Sequence, residues 1–318
     1  MKNCYAIFLG LISIVSIELS GQTEFKTLNY LYGISGARTA AGQHNREPNA
    51  EPSMWTDSIR ALTGVYPRLW SGDFLFQEEN IKNRWSMILE AERQWEKGAI
   101  VNIMWHACSP LVQEPCSWGE GNGVLNPMND EEWQSLLTYG TPVNQAFYKR
   151  LDELAVYLAY LKTKGVEVMF RPFHEMNQGL FWWGGRPGEN GTAALFRLTH
   201  NYLTKEKGLD NLIWVWNVQD LSFDWEAYNP GAEYWDVMSL DVYDEAGFTQ
   251  RNYELMLEVS GGKPFGIGEC AKLPTEDLLT EQPRWVFFMA WAELVFEHNT
   301  KSEIKSLYSS PRVEVIAP

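Results

Sequence analysis

After residue 21 the chain alternates short apolar, β-branched runs with stretches of helical period. Runs at residues 38–43, 67–71, 99–105, 166–172, 212–217, 237–242, 264–268 and 285–291 have the length and composition of strands. Between them, residues 81–97 carry Trp85, Ile88, Leu89, Glu92 and Trp95 at three- and four-residue steps, and residues 145–164 carry Leu151, Leu154, Ala155, Leu158 and Leu161 on one helical face. Strand and helix taken in turn predict βα units around a parallel sheet. Eight such units in 318 residues predict an α/β fold of one domain, a closed (β/α)₈ TIM barrel. An open doubly wound sheet would need a Gly-rich phosphate turn after its first strand, and Ala40-Ala41-Gly42-Gln43-His44 is not one. There is no long linker or short internal repeat, so the domain is expected to fill residues 22–318. The longest irregular stretch, residues 108–130, follows the third strand, where barrel loops carry function.

Residues 1–21 break the alternation. Lys2, an apolar run over residues 5–15, and then Ser20 and Gly21 follow the order of a secretory signal, with cleavage expected near Gly21 and Gln22. The competing readings are an N-terminal anchor or a lipid on Cys4, but a lipidated cysteine follows the apolar run and Cys4 precedes it. The mature protein is expected to be secreted or periplasmic and, with no other spanning stretch, free of the membrane.

Signal removal takes Lys2 and Glu18 together, so the charge stays at −15, which repels nucleic acid. A neutral ligand suits it better. The chain has 15 Trp, 14 Tyr and 15 Phe, more than a core requires, and flat aromatic faces pack on the C–H faces of sugar rings. Cys108 and Cys116, eight residues apart, can close a loop disulfide in a secreted protein, leaving Cys270 a buried free thiol. Spacing alone leaves that pairing open. Three mature cysteines and five scattered histidines offer no metal-ligand spacing, so no metal is expected. A monomer is expected.

Candidate chemistry lies where the strands end. Gln43, His44 and Asn45 follow the first; Trp70 and Asp73 the second; Trp105 and His106 the third. Arg171, His174, Glu175 and Asn177 follow the fourth, and then Phe181, Trp182 and Trp183. The fifth ends in Trp216, Asn217, Gln219 and Asp220, the sixth in Asp241, Tyr243 and Asp244, the seventh in Glu269, and the eighth in Trp291 and Glu293. Barrel enzymes assemble their sites at these ends. Glu175 and Glu269 each close an apolar run, so each is expected partly desolvated at the barrel mouth. Breaking a glycosidic bond takes one carboxylic acid to protonate the leaving oxygen and one carboxylate to attack or to activate water. For a lone glutamate a salt bridge or helix cap is the ordinary role, His106 and His174 can be core histidines, and Asp241 and Tyr243 can merely close a strand.

The segment Arg171-Pro172-Phe173-His174-Glu175-Met176-Asn177, with Phe181-Trp182-Trp183-Gly184 after it, resembles glycoside hydrolase family 26, whose best-known members are endo-β-1,4-mannanases. Gly266-Ile267-Gly268-Glu269, Gly42-Gln43-His44, Trp105-His106, Asp241-Val242-Tyr243 and Trp291 extend the likeness from about residue 30 to about residue 293. The resemblance implies a (β/α)₈ barrel and double displacement with retained configuration, with Glu175 as acid/base and Glu269 as nucleophile. It implies that His174 and Tyr243 orient the glutamates, that His106, Trp182 and Trp291 bind sugar, and that no cofactor is needed. Arg171, Asn177, Trp183 and Asp241 complete the expected set of binding or orienting residues. The substrate it implies is a β-linked polysaccharide, mannan, galactomannan or glucomannan; β-1,3-xylan and mixed-linkage β-glucan are cut within the same family. A non-catalytic carbohydrate-binding protein on the same scaffold would have lost one glutamate, and both are present. The loop with Cys108 and Cys116 departs from the mannanase pattern. Retention requires the two carboxyl groups about 5 to 5.5 Å apart. One of Trp182, Trp183 and Trp291 is expected to show a ring face to the cleft.

Overall fold

The computed structural model describes residues 23–119, 121 and 123–317, and the expected signal segment at 1–21 lies outside them. Eight parallel strands close on themselves: β1 (Thr39–His44), β2 (Leu69–Phe74), β3 (Ile100–Trp105), β4 (Val168–Pro172), β5 (Leu212–Gln219), β6 (Val237–Val242), β7 (Phe265–Cys270) and β8 (Trp285–Ala290). Each pairs with the next, and β8 returns to β1 through Ala40↔Phe287 to Gln43↔Ala290. The expected barrel is therefore present. A two-residue strand, Tyr66–Pro67, and a C-terminal strand, Val313–Ile316, pair with each other outside it, and the sequence reading had neither.

Strand periodicity sorts the side chains. Ala40, Leu69, Ile100, Met169, Ile213, Val215, Val237, Phe287 and Met289 pack together inside the barrel, and Leu28, Leu31 and Ile34 of the helix Lys26–Ile34 join that cluster. Val101, Ile103, Val168, Phe170, Trp214, Trp216, Met238 and Leu240 pack in the larger cluster between barrel and helices. Among described residues no helix is long and apolar enough to cross a membrane.

Helix boundaries depart from the reading in small ways. The run at 81–97 is two helices, Glu78–Lys82 and Arg84–Glu96, parted at Asn83, whose side-chain amide donates to the Glu79 carbonyl and carboxylate. The run at 145–164 is Pro142–Thr163, started by a Thr141 side-chain cap and Pro at its first turn.

The loop after β3 is tied down from both sides. Cys108 and Cys116 form a disulfide with their Cα atoms 6.1 Å apart, and Cys270 is buried and free. Arg150 donates to the carbonyls of Cys108 and Val112, and Arg84 to the carbonyl of Leu75 and to Glu114. Closing so short a loop constrains the unfolded chain, so replacing both cysteines by Ser is expected to cost about 2 to 3 kcal/mol of stability. Urea unfolding measures this; an unchanged midpoint would mean that the arginine contacts alone hold the loop.

Candidate active site

Inside the barrel, apolar residues give way to polar ones within single strands, two positions at a time. β2 runs Leu69, Ser71, Asp73; β5 runs Val215, Asn217, Gln219; β6 runs Val237, Ser239, Asp241. The same parity on β4 carries Met169 to Arg171, so a cation enters where the fill turns polar. Gln219 pairs with Asp241 and Asp241 with Glu269, across a register shift that sets Glu269 beside Asp241.

The centre is Arg171, which is 1% exposed. Its Nη1 donates to Asp241 Oδ1 at 2.8 Å and Oδ2 at 3.0 Å, and its Nη2 donates to Glu269 Oε1. The Tyr243 hydroxyl donates to Glu269 Oε2 at 2.9 Å. Both oxygens of Glu269 are thus held by donors. Glu175 lies opposite, at positive φ (53°), a backbone conformation that costs about 1–3 kcal/mol. Its N–H donates to Asn217 Oδ1 at 2.6 Å. One oxygen from each of Glu175, Asp241 and Glu269 lies within 4.8 Å of the others. That closeness is nearer the spacing of about 5–5.5 Å in retaining enzymes than the wider one, about 6.5–9.5 Å, of inverting enzymes. The three oxygens also have the spacing of a cation site, and a guanidinium already bonds two of the three carboxylates there.

A second network borders the first. His106 Nδ1 lies 2.6 Å from Asp73 Oδ2, His44 Nδ1 2.9 Å from Ser71 Oγ, and Trp291 stacks on His44 with centroids 4.3 Å apart. Burial would raise the Asp73 carboxyl, but His106 and then His44 hold it well below the carboxylate range. Burial lowers His44 and His174, so both favour the neutral form.

The expected residues fall into two groups. Arg171, Glu175, Asp241, Tyr243 and Glu269 form one contiguous cluster, with His106 and Trp291 beside it. Trp183 is fully buried and its indole N–H donates to the His174 carbonyl, so it offers no face to a ligand. Trp182, 2% exposed, donates to the Ala107 carbonyl and lines a cavity with Leu125, Phe181 and Arg186. Trp291 is the half-buried member of the three. Asn177 braces the β5 end instead of facing a ligand: its amide bonds the Gln219 carbonyl, the Gln219 N–H and Ser222 Oγ. His174 makes ring contacts with His106, Phe181 and Trp183, and its Nδ1 is buried without a partner, so no hydrogen bond links that nitrogen to either glutamate. Trp118, on the disulfide loop, is 40% exposed and meets His106 edge-on at 5.3 Å; nothing in the sequence marked it. Asp73 and Asn217 stood out as strand-end residues without a role.

Burial pushes the Glu175 carboxyl up to about 8, Asp241 adds to this, and Arg171 opposes it. Burial and Asp241 also raise Glu269, while Arg171 works against them. Among the described residues no donor reaches the Glu175 carboxylate, whereas Glu269 has Arg171 and Tyr243, so a proton shared between the two favours Glu175. A carboxyl titrating near 8 stays protonated at neutral pH and loses its proton only as the pH rises past that value. The infrared carboxylic-acid band missing from Glu175→Gln is therefore expected to fade as the pH rises through about 8. Loss of that band near the ordinary glutamate value, about 4.3, would contradict this placement of the proton.

The chain matches glycosyl hydrolase family 26 over residues 18–315. It is 29% identical over 299 residues to a mannan endo-1,4-beta-mannosidase of Thermothelomyces thermophilus, covering 90% of this chain and 59% of that protein. A mannan endo-1,4-beta-mannosidase of Bacillus subtilis (strain 168) is 26% identical over 258 residues, 74% of this chain and 68% of the relative. The solved GH26A structure from Muricauda sp. superposes with a TM-score of 0.85 at 31% identity, covering 91% of this chain and 94% of that one. With the barrel and the strand-end carboxylates in place, the chain belongs to glycosyl hydrolase family 26.

Proposed function

We propose that the protein is a secreted, endo-acting retaining β-mannanase that cuts mannan, galactomannan or glucomannan. The observation that carries this reading is the unlike setting of two close carboxylates: Glu269 gripped by Arg171 and Tyr243, and Glu175 buried with no donor on its carboxylate among the described residues. Glu269 attacks the anomeric carbon while Glu175 protonates the departing glycosidic oxygen. Forming the glycosyl ester removes the charge of Glu269, which lowers the proton affinity of Glu175, so Glu175 then takes a proton from the water that releases the sugar. His106 and Trp291, beside the pair, are the sugar contacts of this reading. Family membership and the two relatives named mannan endo-1,4-beta-mannosidase support the substrate class. The Cys108–Cys116 disulfide supports an extracytoplasmic site of action.

Two experiments test this. Reducing-sugar release is expected to be fastest on galactomannan and glucomannan; faster release from barley β-glucan or β-1,3-xylan would reassign the substrate. On an activated aryl mannoside with azide, Glu269→Ala is expected to yield the mannosyl azide of inverted configuration, and Glu175→Ala the azide of retained configuration. Exchanged outcomes would swap the two roles, and undiminished activity in both variants would place the catalytic pair elsewhere.

A further inference from the structure

Asn217, fully buried on β5, touches both halves of the carboxylate cluster. Its Oδ1 accepts the Glu175 N–H at 2.6 Å and its backbone carbonyl accepts the Met176 N–H at 3.4 Å, so two successive amides of the positive-φ turn hang on one residue. Its Nδ2 donates to Asp241 Oδ1 at 2.8 Å and to Ser239 Oγ at 2.8 Å. Asp241 Oδ1 is the same atom that receives Arg171 Nη1, and Arg171 then holds Glu269. A continuous path therefore runs from the Glu175 backbone through Asn217, Asp241 and Arg171 to Glu269.

The two partners call for one side chain that accepts on one side and donates on the other, as an amide does. Toward Glu175 the need is an acceptor, since a backbone N–H can only donate; toward the Asp241 carboxylate the need is a donor. Space is reserved for this contact on the neighbouring strand. A Cβ on Gly268 would come within 2.4 Å of Asp241 Oδ1 and 2.8 Å of Asn217 Nδ2, so the residue before Glu269 can carry no side chain while the amide sits there.

We infer that Asn217 is a positioning residue for the reaction: it fixes the Glu175 turn in the orientation that aims the acid, and the hydrogen bond it donates to Asp241 favours the charged carboxylate there. The inference rests on the roles proposed above for Glu175 and Glu269. It needs no contact between Asn217 and substrate.

The test compares substrates that need the acid with ones that do not. In Asn217→Ala, kcat on mannan is expected to fall on the order of 100-fold, the scale of general acid–base catalysis, with KM little changed. On an aryl mannoside with a strongly acidic leaving group, bond cleavage needs no proton, so its step is expected to slow far less and a burst of released phenol to appear. Loss of the donor also raises the proton affinity of Asp241, which moves the acid limb of the pH profile upward. In Asn217→Asp, the introduced carboxyl reproduces the amide only while protonated, as an O–H donor to Asp241. That variant is expected to keep activity at low pH and to lose it at a lower pH than the wild type does. It has the size and shape of asparagine, so it carries the test even if Asn217→Ala does not fold. Equal losses on both substrates with unmoved pH limbs, or a pH-independent loss in Asn217→Asp, would reduce Asn217 to a packing role and overturn the inference. With Glu175→Ala as control, a normal Asn217→Ala beside an impaired control sinks this inference alone. An unimpaired control would sink the roles beneath it.

Discussion

Taking a guanidinium and two carboxylates out of water costs several kcal/mol for each ion, and Arg171, Asp241 and Glu269 are all buried at the mouth of the barrel. Only their mutual pairing makes that burial tolerable. Two carboxylates to one cation leave the pair of acids and the arginine with a net negative charge, and Glu175 stands within reach of it. The proton on Glu175 answers that excess charge. Removing Arg171 would leave two buried carboxylates facing each other, a loss on the order of 3–5 kcal/mol for a broken buried pair. On the roles proposed for the two glutamates, proton placement and division of labour both depend on this one side chain.

The barrel supplies the geometry that the ion pairs need. Parity on each strand sends every second side chain inward, and the inward rows turn polar near the strand C-terminal ends on β2, β5 and β6. Arg171 shares the inward parity of Met169, two residues earlier, and reaches Asp241 on β6 and Glu269 on β7, two and three strands away. Gly268 leaves the gap into which Asp241 and Asn217 fit. The neighbouring Asp73, His106 and His44 form a second, largely separate network, and Trp291 stacks against it.

Much of this was legible beforehand. The apolar–helical alternation predicts all eight barrel strands, because burial on both faces leaves each mainly apolar until its C-terminal end. Boundaries were less so: β8 stops at Ala290, and two residues later Ala292 takes a positive φ. Val313–Ile316 escaped notice because four residues give too little pattern. Trp183 read as a ligand platform since an indole that lines a cleft and one that packs in the core are the same residue type, and only its full burial tells them apart. Asn217 was readable in principle: it has the inward parity of Val215, and a buried amide at that height demands both a donor and an acceptor. Trp118 was not, since a lone Trp in a Pro- and Gly-rich loop carries no periodicity.

If Glu269 is the nucleophile and Glu175 the proton carrier, covalent trapping must distinguish them. A 2-deoxy-2-fluoro mannoside with a good leaving group slows both chemical steps, release more than formation, so an ester accumulates on the attacking carboxylate. Peptide mass mapping of the trapped protein is predicted to find the sugar on Glu269. Label on Glu175 or Asp241, or turnover with inversion and no label, would contradict it.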